Sequence, residues 1–151
     1  MHLHLMLNHA PLFGELFASA LFLTAAAARS RTLLRTALGV VLITALASIP
    51  VFFSGHAAAD AIGKVEGIDQ GAIDPHEEAA DRFLFVAEAA GLAAVVALIR
   101  PGRATVGVAA VLTLLSLGLA GWTAEKGGLI HHNELRQRAT NHDRLPTNIR
   151  V

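Results

Sequence analysis

A histidine and four carboxylates stand together immediately before a long apolar run. The segment reads Asp74-Pro75-His76-Glu77-Glu78-Ala79-Ala80-Asp81, and apolar residues follow it from Phe83 to Ile99. Neutral imidazole is the commonest protein ligand for metals, and two opposed imidazoles can hold a haem iron. The segment is therefore a candidate for part of a cofactor site at the mouth of a helix.

The elements that would position such a site are four apolar runs. Hydrophobic residues make up 54% of the 151 residues and charged residues only 16%, which is typical of an integral membrane protein. A bilayer core needs about 20 apolar residues per helix. We predict an all-α, membrane-spanning four-helix up-down bundle in residues 1–125, followed by a polar C-terminal tail in 126–151. The predicted spans are 11–28, 36–53, 81–99 and 104–124.

The charges between the runs predict an orientation. The two short turns are purely basic, with Arg29, Arg31 and Arg35 in the first and Arg100 and Arg103 in the second. The long loop between helices 2 and 3 is acidic. Because Lys and Arg favour the cytoplasmic side, we predict that both termini and the acidic loop face outward.

Local signals also predict two helix ends. Gly55, within Ser54-Gly55-His56, is a natural residue to follow the end of helix 2. Asp74 is expected to cap helix 3, with Pro75 in its first position.

With this topology several histidines fall at different helix mouths on the outer side. We predict that His9, His76 and His132 bind a cofactor or metal, with Glu77 as a further oxygen ligand. Haem b would use His9 and His76 from diagonal helices, whereas Zn or Cu would use three histidines. The alternative is that these histidines only cap helices and bind water, with no cofactor.

Two acids lie inside the predicted spans, where a charge costs about 2–4 kcal/mol. Glu15 is in helix 1 and Glu88 is in helix 3. Each is expected either to be a neutral carboxyl group bonded across the bundle or to serve a proton route. His56 and His131 are further candidates for proton transfer or for supporting a ligand.

Several function classes are disfavoured. The chain has no cysteine, so disulfides, thiolate metal sites and cysteine nucleophiles are excluded. Its formal net charge is zero, which does not favour nucleic acid as a partner. The sequence lacks a phosphate-binding glycine loop and a serine-hydrolase motif, which favours a non-catalytic subunit over an enzyme.

Four segments together resemble a family of small four-helix bacterial membrane proteins, the DUF2231-like group. They are Asn8-His9-Ala10-Pro11, Ser54-Gly55-His56-Ala57, His76-Glu77-Glu78 and Gly127-Gly128-Leu129-Ile130-His131-His132-Asn133-Glu134. In the last segment His131 stands where the family usually has arginine. Relatives joined to Rieske-type iron–sulfur domains imply redox biology, and the resemblance implies a multi-pass protein of the bacterial inner membrane.

Two functions follow as expectations. The first is a membrane subunit of a respiratory or photosynthetic electron-transport complex, binding haem b or a metal and served by an external electron carrier. The second is a cofactor-free structural or assembly subunit of a larger membrane complex. In both cases the partners are the lipid bilayer and other membrane subunits.

Overall fold

The computed structural model describes residues 7–62 and 70–131, with side chains described for 7–60 and 74–128. These residues form four helices: α1 (Ala10–Ala28), α2 (Arg31–Ile62), α3 (Gln70–Ile99) and α4 (Arg103–His131). Each helix packs against the next, and α4 packs back against α1. All four are long and apolar enough to cross a membrane. The predicted four-helix, membrane-length bundle is confirmed at this level.

Both predicted helix ends are wrong. Helix α2 continues through Ser54, Gly55 and His56 to Ile62, because one helical glycine costs only about 1 kcal/mol and an alanine-rich stretch follows it. Helix α3 begins at Gln70, so Pro75 lies inside it and Asp74 is not its N-cap. A proline at this position removes one backbone hydrogen bond and crowds the carbonyl group four residues earlier.

The turn between α1 and α2 is very short. Arg29 adopts the left-handed conformation at φ 48°, and its N–H bonds back to the last turn of α1. The N–H of Ser30 donates to the carbonyl oxygen of Ala25 at 3.0 Å, and Ser30 Oγ accepts from the N–H of Leu33 at 3.3 Å. These bonds end one helix and begin the next within two residues, which sets α1 and α2 antiparallel.

The interior is filled by small residues. Of the fourteen buried hydrophobic residues in the described part of the chain, eleven are alanine. Helices approach so closely that a Cβ added at Gly14 would overlap Thr44 Oγ1, and one at Gly91 would lie 2.7 Å from Ala45 Cβ. Close backbone approach through small residues is how membrane helices gain packing energy.

Many large apolar side chains of the described residues point outward instead. A water-soluble bundle buries such residues and exposes charge. Here every helix exposes large apolar side chains along its length, which suits a hydrocarbon surrounding. Examples are Phe13, Phe17, Ile43, Leu46, Phe85, Leu92, Val111 and Leu115.

Candidate functional site

The bundle has two unlike ends. We call the end with Arg29, Arg31, Arg100 and Arg103 the basic end, and the opposite end the histidine end. At a rise of about 1.5 Å per residue, the residues His56, His76 and Thr123 lie about 30–38 Å from the turns of the basic end. A bilayer core is about 30 Å thick, so the histidine end reaches the headgroup level if the basic turns lie at the other surface.

His76 connects α3 to the last turns of α4. Its Nδ1 lies 3.1 Å from the carbonyl oxygen of Thr123, and the residue is half-buried. A carbonyl oxygen can only accept a hydrogen bond, so Nδ1 is the protonated nitrogen. The imidazole packs on the backbone of Gly127, where an added Cβ would lie 3.1 Å from Cε1 and 3.3 Å from Nδ1. Gly127 therefore leaves the space that the imidazole occupies.

His56 connects α2 to α3 at the same end. Its Nε2 lies 3.9 Å from Asp81 Oδ1, and both side chains are partly exposed. The ring packs on that of Phe52, with centroids 4.3 Å apart. An exposed ion pair of this length contributes little to stability, at most about 1 kcal/mol when the histidine is protonated.

Arg82 completes the polar contacts between α3 and α4. Its guanidinium pairs with Glu78 one turn earlier on α3 and lies 5.5 Å from the ring centroid of Trp122 on α4. Trp122 is at the level where an interfacial tryptophan is expected. A guanidinium over an indole ring is attracted by the ring quadrupole, so Arg82 links the two helices.

A second polar group lies inside the bundle. Ser116 Oγ on α4 donates a hydrogen bond of 2.8 Å to Glu15 Oε1 on α1, and both residues are fully buried. Thr44, 5% exposed, lies at the same height, about 20 Å from the basic end. Glu15 Oε2 and Ser19 Oγ have no hydrogen-bond partner among the described residues. Glu15 therefore bonds across the bundle through one of its two carboxyl oxygens.

Glu88 is less enclosed than Glu15. It is half-buried in the middle of α3, and its Oε1 is covered without a hydrogen-bond partner in the described chain. One carboxyl oxygen is therefore turned away from the outer surface, although no described group links Glu88 to another helix.

The remaining predicted ligands are not brought into one cluster by the part of the chain that is described. His9 is exposed beside the start of α1, and its Nδ1 contacts Asn8 Oδ1. Glu77 is half-buried on α3. No group of three His, Asp or Glu side chains suited to a metal ion occurs among the described residues. His132 and the side chain of His131 lie outside them.

Comparison with known proteins assigns neither a family nor a function to this chain. No protein-family model, curated protein or solved structure matches this chain.

Three contacts of these groups were not predicted from the sequence. Thr123 contacts His76 through its backbone carbonyl oxygen, so its residue type could not have indicated this contact. Ser116 is 101 residues from Glu15 in the sequence. Glu15 lies fourteen residues before Arg29, and Ser116 lies thirteen residues after Arg103. This nearly equal distance from the basic end could have indicated that the two residues lie at the same height in the bundle. Gly127 was part of a recognised motif, but the motif does not reveal its contact with His76.

Proposed function

We propose that this protein is a non-catalytic integral membrane subunit that packs against other helices of a larger membrane complex. The supporting observation is the outer face of α4. Gly118 and Gly121 are exposed there, and a Cβ added at either would meet nothing within 4 Å. The close contacts inside the bundle use other glycines, so these two leave a shallow, apolar surface open to a helix of another chain.

The distribution of side chains supports the same proposal. Large apolar residues cover the outside of the bundle, and the described residues add no extramembrane unit beyond the ends of the helices. Such a chain presents lipid or helix-packing surface on all sides. Of its inward polar groups, Glu15 and Ser116 bond to each other across the bundle.

The test is the size of the native assembly. The tagged protein is extracted from its own membranes in mild detergent, and its mass is measured by native electrophoresis and native mass spectrometry. We expect an assembly of fixed stoichiometry, well above the 15.8 kDa of the chain. The paired substitutions Gly118→Leu and Gly121→Leu should release the chain from it. Gly39→Leu on α2, where an added Cβ also meets nothing within 4 Å, is the matched control. A monomer, or an assembly indifferent to the α4 substitutions, contradicts the proposal.

The electron-transport subunit is the second candidate, and the geometry of His76 favours it. Histidines that ligate metals commonly donate their other ring N–H to a backbone carbonyl, which fixes the ring and its tautomer. His76 makes this bond to Thr123 at the histidine end, where an external electron carrier would have access. The resemblance to the DUF2231-like group points the same way.

An absorption spectrum and a metal analysis separate the two candidates. A Soret band in the purified native protein, lost in His76→Ala and retained in His56→Ala, would establish haem binding. Stoichiometric Zn or Cu with the same dependence on His76 would establish a metal site. A native assembly with neither a Soret band nor a bound metal would support the structural subunit instead.

A further inference from the structure

An apolar groove runs into the bundle from the basic end. It lies between α1 and α4, is closed on one side by the start of α2, and has a volume of about 500 Å³. Phe22 and Leu23 form one wall, Leu34 lies beside the turn, and Val106 and Leu114 form the opposite wall. His76, Gly118 and Gly121 are not among the residues that line the groove.

Three arginines surround the mouth of this groove. Arg29, Arg31 and Arg103 all line it and are exposed. No carboxylate of the described chain lies within 4.0 Å of any of them. Helices α2 and α4 begin here while α1 ends here, so their dipoles partly offset one another and the positive charge comes from the arginine side chains. The mouth therefore has an excess of positive charge that the described residues do not neutralise.

The length of the groove matches one leaflet of a bilayer. Ten residues of α1 separate Arg29 from Ser19 at its inner end, which is about 15 Å. On α4, eleven residues separate Arg103 from Leu114, which is about 16 Å. The hydrocarbon core is about 30 Å thick, so the groove extends from the surface to the middle of the membrane.

We propose that this groove binds one anionic phospholipid, with its phosphate at the three arginines and an acyl chain along the groove. A charged head attached to an apolar chain of leaflet length matches both parts of the site. An apolar helix of another protein would leave the three guanidinium groups without a counter-ion. This site goes beyond the proposed subunit function and does not depend on it.

The arginine test uses purified protein, native mass spectrometry, and phosphatidylglycerol and phosphatidylcholine with the same acyl chains. We expect phosphatidylglycerol to be retained in preference, with about a fivefold loss for each of Arg29→Gln and Arg103→Gln. Arg100→Gln is the control, because Arg100 is exposed in the same basic turn but does not line the groove. Equal retention of the two lipids, or an equal loss in the control, overturns the proposal.

A second variant tests the apolar part of the site. Gly107 lines the groove, and a Cβ added there meets nothing within 4 Å, so Gly107→Leu should fill the path of the acyl chain without distorting α4. We expect it to lose phosphatidylglycerol, while Gly39→Leu retains it. A third experiment measures whether inorganic phosphate competes with the lipid. If phosphate competes fully with the lipid, or if Gly107→Leu has no effect, the site binds only an anion and the proposal fails.

Discussion

Ser116 Oγ donates a hydrogen bond to Glu15 Oε1 across the α1–α4 interface, and both residues are fully buried. This bond crosses the interior of the bundle. It lies about 20 Å from the basic end, well inside the apolar part of the helices. The carboxyl group of Glu15 depends on Ser116 because its other oxygen has no described partner.

Ser116→Ala should lower the free energy of unfolding by about 0.5–2 kcal/mol, the range measured for hydrogen bonds between membrane helices. The substitution leaves Glu15 buried with no described partner. Thr113→Val is the control, since Thr113 is equally buried on α4 but bonds to the carbonyl oxygen of Ala109 in its own helix. Unfolding in mixed detergent measures both.

A double-mutant cycle with Glu15→Met separates the bond from the general effect of each substitution. Once Glu15 is replaced, Ser116→Ala should cost little. If Ser116→Ala costs the same in both backgrounds, the two residues are not energetically coupled.

Gly14→Ala should destabilise the contact between α1 and α2 by about 1–3 kcal/mol, because the new methyl group would overlap Thr44. Thr44→Ala should restore most of this loss. Gly39→Ala, where the methyl group meets no atom, should instead be neutral or stabilising by up to about 1 kcal/mol. Thermal unfolding in detergent compares the three, and an equal loss at Gly14 and Gly39 would rule out close packing at Gly14.

His76 should carry its proton on Nδ1 when the imidazole is neutral, because that nitrogen donates to the carbonyl oxygen of Thr123. Imidazole nitrogen shifts measured by NMR report the tautomer directly. Gly127→Ala should disturb this signal, since the added methyl group would press on the ring, whereas Gly128→Ala should not. An Nε2-protonated ring in the unmodified protein would contradict the hydrogen bond.

The sequence predicted the helices better than their ends and contacts. The length of an apolar run is a local property, so four runs sufficed to predict four helices. The continuation of α2 beyond Gly55 was missed because an alanine-rich stretch outweighs one glycine. The bond from Ser116 to Glu15 and the carbonyl partner of His76 depend on how distant helices align, which local patterns do not encode.

The claim on which the account depends is that the four helices cross a membrane with both basic turns on one side. The chain has no cysteine, so single cysteines at Ser30, Gly102, Asp74 and Gly128 can be labelled in intact cells with an impermeant thiol reagent. All four positions lie at turns or near helix ends, away from the predicted apolar core. We expect Asp74→Cys and Gly128→Cys to react from outside, and Ser30→Cys and Gly102→Cys to react only after the membrane is opened. Reaction of Ser30→Cys and Gly102→Cys alone in intact cells would reverse the proposed orientation, and reaction of all four would contradict the membrane-spanning bundle itself.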